Sequence, residues 1–167
     1  MFFCYNEVGD YMKLEPISFT MSVDRKVGVL KTPIGIYTTE GFNKSFKGVK
    51  KHYIALWDTG SNMTVISEKL AKEMNLEPVG EMVAGTAGGN FKFNKYVISI
   101  SLPNRLNIEN ICIASGNLAP DVDILIGMDI ITLGDFAITN YNNKTVFSFR
   151  FPSSEIIDFV KDEKIMK

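Results

Sequence analysis

Asp58-Thr59-Gly60-Ser61 is the part of this chain best suited to chemistry. It lies between two apolar runs, Tyr53-Ile54-Ala55-Leu56-Trp57 before it and Met63-Thr64-Val65-Ile66 after it. A carboxylate at the end of an apolar strand, followed at once by a turn, is costly to bury without partners. Such costs are tolerated mostly where the carboxylate reacts. Thr59 adds a hydroxyl that can donate within the loop, Gly60 lets the backbone turn tightly, and Ser61 places a second hydroxyl beside the acid. The motif occurs once.

The elements that must hold this turn read as β-structure. Strand-like segments fall at 17–23, 27–31, 34–39, 51–57, 63–66, 79–84, 91–102, 108–114, 122–126, 136–139 and 145–151, with Gly, Asn and Pro signals between them. That spacing predicts an all-β domain. Helix is predicted at 67–74 behind the N-cap candidate Ser67, as one turn at 129–133 stopped by Gly134, and as an amphipathic stretch over 154–167. The 167 residues suit one domain. We divide it into an N-terminal strand extension (1–50), a core (51–151) and a C-terminal helix (152–167).

Composition excludes several classes of function. With 46% hydrophobic and 22% charged residues the chain is not a disordered segment. Its 18 basic and 19 acidic residues give a net charge of −1, so nucleic acid and anionic membrane are not expected partners. No apolar run is long enough for a transmembrane helix. The N-terminus lacks a signal-peptide pattern. Cys4 and Cys112 read as reduced thiols in or near the core, His52 as a surface residue, and no metal site or cofactor is expected. These features point to a cytoplasmic protein.

Ala55-Leu56-Trp57-Asp58-Thr59-Gly60-Ser61 resembles the active-site motif of aspartic proteases, and Asp123-Ile124-Leu125-Ile126-Gly127-Met128-Asp129-Ile130-Ile131 is similar to the second half-motif of the retroviral-type enzymes. Between them, Val83-Ala84-Gly85-Thr86-Ala87-Gly88-Gly89 looks like the tip of the flap hairpin. The three parts stand in the family's order over residues 50–151. Within the family the chain looks most like the retropepsin-like domain of the DNA-damage-inducible ubiquitin-shuttle proteins, where the motif also runs through a Met-Thr strand into a short helix. The resemblance implies a retropepsin-like acid-protease barrel with a flap hairpin.

It also implies a mechanism. Two carboxylates about 3 Å apart share one proton, because both cannot ionise. The pair activates a water for attack on a peptide carbonyl and stabilises the charge that develops. Asp58, Thr59 and Gly60 would carry catalysis; Ser61, Gly85, Thr86, Ala87, Gly88 and Gly89 would contact the peptide. Asp10, Asp121, Asp123 and Asp135 lack the turn sequence that a second catalytic aspartate needs. A twofold homodimer that sets Asp58 against its own copy is therefore the economical arrangement. Retroviral enzymes usually carry an acid–arginine pair at the places held here by Asn62 and Met128, and Trp57 is bulkier than the usual residue. A catalytically inactive peptide-binding or dimerisation module on the same fold is the alternative reading, and a small β-barrel carrier a third.

Overall fold

The computed structural model describes residues 15–38, 51–86 and 89–162. Ten strands and three short α-helices make up its regular structure apart from two single 3-10 turns: β1 (Ile17–Val23), β2 (Leu30–Tyr37), β3 (Lys51–Trp57), β4 (Val65–Ser67), α1 (Glu68–Glu73), β5 (Gly80–Thr86), β6 (Gly89–Ser101), β7 (Asn107–Gly116), β8 (Ile124–Ile126), α2 (Met128–Ile131), β9 (Asp135–Thr139), β10 (Thr145–Phe151) and α3 (Phe159–Asp162). The fold is all-β, as the sequence implied.

Seven strands form one sheet in the order β2-β3-β8-β4-β7-β6-β5. A further pairing of β2 with the end of β6, through Gly35–Ser101, Ile36–Ile100 and Tyr37–Ser99, closes it into a barrel. Alternation explains the core. Ile34 and Ile36 on β2, Ile98 and Ile100 on β6, and Ile124 and Ile126 on β8 are each 1% exposed or less, while their neighbours along the strands are mostly more open. The long β6 serves two structures. One edge pairs with β7; the other pairs first with β5 and then with β2.

The predicted strands 27–31 and 34–39 meet in one strand, β2, running through Pro33; 27–29 and 38 are not strand, and 39 lies outside the described residues. Proline breaks a ladder only where its missing N–H is needed. Opposite Pro33 stands Ile54, whose N–H donates to Asp123 Oδ2 and whose carbonyl accepts from the Asp123 N–H, both away from β2. No hydrogen bond is lost at that pair.

A second sheet, β1-β10-β9, packs its aromatic residues against the end of β3. Trp57, 6% exposed, stacks on Phe136 at 5.4 Å and 14°, and tilts against Phe149 at 5.1 Å. Phe19 and Phe147 each lie 6.0 Å from the same ring. Its Nε1 donates to the buried Thr32 Oγ1 at 3.0 Å, so the indole is buried with its one polar atom satisfied.

The C-terminal helix expected over 152–167 begins later than the sequence suggested. Among the described residues of that stretch only Phe159–Asp162 is helical, and 163–167 lie outside them. Asp135 explains the extended start: it accepts from Ser153 Oγ and the Ser154 N–H, while Arg150 bridges Asp135 and Glu155. The apolar residues expected to be buried stay exposed, Ile156 at 91% and Val160 at 76%. From the N-terminal 50, β1 and β2 are described and both are built into the sheets; 1–14 and 39–50 lie outside the described residues.

Two outcomes follow. Replacing Trp57 with Ala should cost about 3–5 kcal/mol of unfolding free energy in urea, since it empties the contact between the sheets; a loss below about 1 kcal/mol would contradict that role. Asp135 gives a pH dependence. Burial pushes its carboxyl up, but the hydrogen bonds from Ser153, Ser154 and Arg150 and the guanidinium charge outweigh it and hold the group at about 2. The unfolded value is about 3.9, so the stabilisation is complete above that pH and is lost as pH falls through the folded value. The stability gap between the native chain and Asp135→Asn should therefore narrow as the pH is lowered from about 4 to about 2. A gap constant over that range, measured by urea unfolding followed by circular dichroism, would refute the assignment.

Candidate active site

The Asp58 turn is built where β3 ends and its parallel partner β8 ends beside it. The Asp58 N–H continues the ladder by donating to the Ile126 carbonyl at 2.9 Å. Its half-buried carboxylate accepts the Gly60 N–H at Oδ1, 2.9 Å, and the Ser61 N–H closes the turn on the Asp58 carbonyl at 3.2 Å. A Cβ on residue 60 would sit 3.1 Å from that same Oδ1, so glycine gives the carboxylate room to lie against the turn.

A cleft of about 550 Å³ opens at this turn. Val29, Leu30, Leu56, Phe136 and Ile138 line it with Asp58 and Thr59. Asn140 and Thr145 add polar groups to the wall, and Asp58 is the one carboxylate among the described lining residues. Thr59 is exposed at its mouth. The Ser61 hydroxyl donates to the Met63 carbonyl at 2.7 Å, so its proton is committed within the loop.

The loop then crosses the segment that follows β8. The Met128 N–H donates to the Ser61 carbonyl at 2.8 Å. At the crossing a Cβ on residue 127 would lie 2.5 Å from the backbone carbon and oxygen of Met63, a distance no side chain tolerates. The sequence marked Gly127 as part of the floor; close approach of two backbones is the reason it is glycine. Thr64, fully buried, and Asp129 join across the same crossing, which the sequence reading missed. A carboxylate in the first turn of a helix signals a local cap. Its distant partner is set by the crossing, and no spacing shows that.

Residues expected to contact a peptide from above lie on the hairpin of β5 and β6. Thr86 pairs with Gly89, whose φ of +115° only glycine adopts easily, and Gly85 pairs with Asn90. Gly85 and Asn90, expected to supply turn conformations, are strand residues here. Ala87 and Gly88 lie outside the described residues. The lining of the Asp58 cleft includes none of the described hairpin residues.

Asp121 and Asp123 do other work. Asp121 pairs with Lys31, which lowers its carboxyl from the ordinary value, first through the hydrogen bond and then through the ammonium charge. Asp123 ties its loop to β3 through Ile54. His52 is exposed on β3, and Cys112, expected in or near the core, is exposed on β7; Cys4 lies outside the described residues. No group of three or more His, Cys, Asp or Glu among the described residues is placed to hold a metal ion.

This geometry agrees with what the chain is similar to. A family model described as aspartyl protease matches residues 45–130. A retropepsin-like aspartic protease from Rickettsia conorii shares the fold at 15% identity, with a TM-score of 0.53 over 82% of this chain and 96% of that one. The protease of EIAV, in complex with the inhibitor HBY-793, aligns at 15% identity and a TM-score of 0.45, over 62% and 85% of the two chains. The retroviral protease-like domain of Ddi1 from Leishmania major aligns at 14% and 0.44, over 78% and 100%. Among curated proteins no match is found. With more than half of its length matched and the Asp-Thr-Gly turn at the mouth of a cleft, the chain belongs to the aspartyl protease family.

Proposed function

We propose that this chain is one half of a homodimeric aspartic endopeptidase. The observation that carries the reading is the position of Asp58, a half-buried residue whose carboxylate accepts the Gly60 N–H beside a cleft where the described residues offer no second carboxylate. Asp58 and Asp58 of the partner subunit would share one proton and behave as a single titrating unit. The ionised member takes a proton from a water, which attacks the peptide carbonyl; the protonated member donates to the carbonyl oxygen.

A surface for the partner lies next to the turn. Among the described strands β9 has one neighbour, β10, so its other edge is open to a further strand. Phe136 and Ile138 of β9 also line the Asp58 cleft, and Ile138 is 45% exposed. A second copy pairing there would cover apolar surface and approach the turn together. The β5–β6 hairpin would act as the flap, with Gly85, Thr86, Ala87, Gly88 and Gly89 against an extended, largely apolar peptide bound through its main chain.

The test is cleavage of a random peptide library by the full chain and by Asp58→Asn, with sedimentation velocity on both. The variant should lose at least about 100-fold in rate while the dimer persists. Equal cleavage by the two proteins would overturn the mechanism, and a strictly monomeric active protein would overturn the shared dyad. Peptide binding without cleavage by the unaltered chain would favour a binding module instead.

A further inference from the structure

Asp129 lies in the first turn of α2, and its carboxylate turns back onto the strand that leaves the Asp58 loop. Oδ2 accepts the Thr64 N–H at 2.8 Å, and Oδ1 accepts the Thr64 hydroxyl at 2.7 Å and the Ile130 N–H at 3.0 Å. Thr64 is fully buried, and its oxygen in turn accepts the Gly127 N–H at 3.1 Å. The residue before Gly127 is Ile126, whose carbonyl receives the Asp58 N–H. A continuous path of hydrogen bonds thus leads from Asp129 to the backbone of the reactive aspartate.

The polarity of this path is fixed. The Gly127 N–H can only donate, so the Thr64 oxygen must accept there and send its single proton the other way. The Thr64 N–H also donates in that direction. The group that meets Thr64 must therefore accept two hydrogen bonds, and a carboxylate does so with the added strength of its charge. Asparagine has the same shape but one acceptor oxygen; its NH₂ would face a donor, leaving a buried group unpaired.

We propose that Asp129 is a positioning residue for Asp58, acting through Thr64 as a two-point brace between the reactive loop and the floor strand. The proposal rests on the protease reading. It makes the brace a determinant of where the Asp58 carboxylate sits, in addition to a contribution to stability. Misplacing a reacting group by about 1 Å can cost about 100-fold in rate. Most of the proposed peptide contacts lie on the β5–β6 hairpin, away from the brace, so the loss should fall on kcat more than on KM.

The experiment compares the full chain with Asp129→Asn, Thr64→Val, the double variant and Thr64→Ser. A chromogenic peptide selected from a random library by the unaltered chain gives kcat and KM; hydrogen–deuterium exchange at a temperature where every protein stays folded gives local order. Asp129→Asn and Thr64→Val should each lose about 10- to 100-fold in kcat with KM within about twofold, and the double variant should be no worse than either. Thr64→Ser, which keeps the hydroxyl, should retain kcat. Amides at 58–64 and 126–128 should exchange faster in the impaired variants while those of β1 and β10 do not change. Unchanged kcat, uniformly faster exchange, or additive losses in the double variant would overturn the brace. Equal cleavage by the unaltered and Asp58→Asn proteins would strike the protease reading instead. A failed brace leaves that pair different in rate, so the two failures are distinguishable.

Discussion

The parallel ladder between β3 and β8 is the constraint on which the site depends. It runs through Ala55–Ile124, Leu56–Leu125 and Trp57–Ile126, then extends one bond further to the Asp58 N–H. Parallel strands cannot be joined by a tight turn, so the chain between them must leave and return. Here it leaves as the Asp58 loop, which then crosses the segment after β8 at Gly127. The Asp58 turn is therefore fixed by two non-local contacts, a strand pair and a backbone crossing, and only its immediate hydrogen bonds are local. That division explains why a motif of three residues needs most of a domain around it.

The aromatic junction follows from the same ladder. Ending β3 at Trp57 places the indole against Phe19, Phe147 and Phe149 of the second sheet, and against Phe136 of its outer strand. The residue before the catalytic candidate thus joins the two sheets, and the bulk that sets it apart from the usual residue is used in packing. Thr32 completes the arrangement by giving the indole N–H an acceptor where no water reaches. The same β9 that carries Phe136 borders the cleft, so stability and access to the site share one wall.

Local chemistry made much of this legible in the sequence. The strands at 17–23, 51–57 and 145–151 coincide with the observed ones because alternation and turn residues specify them. Ser67 caps α1 through a side-chain bond to the Leu70 N–H, as its position suggested. Proline in β2 misled because its tolerance depends on where Ile54 directs its own backbone groups. The C-terminal helix begins later than expected because Asp135 and Arg150, distant in sequence, hold its start extended. Thr64 and Asp129 were invisible as a pair for the same reason: each looks local, and their meeting is a product of the crossing.

Trp57 is the only tryptophan in the chain, and its place gives the molecule a built-in optical reporter. The indole stacks on Phe136, donates to a threonine in a buried pocket, and immediately precedes Asp58. Its emission therefore originates from one spot where the two sheets meet and where the wall of the cleft begins. A solvent-shielded, hydrogen-bonded indole emits at a wavelength sensitive to any rearrangement of those neighbours. Events at β9 or in the Asp58 loop can thus be followed by intrinsic fluorescence in the unlabelled protein, with excitation at the red edge of the indole band, where the six tyrosines do not absorb.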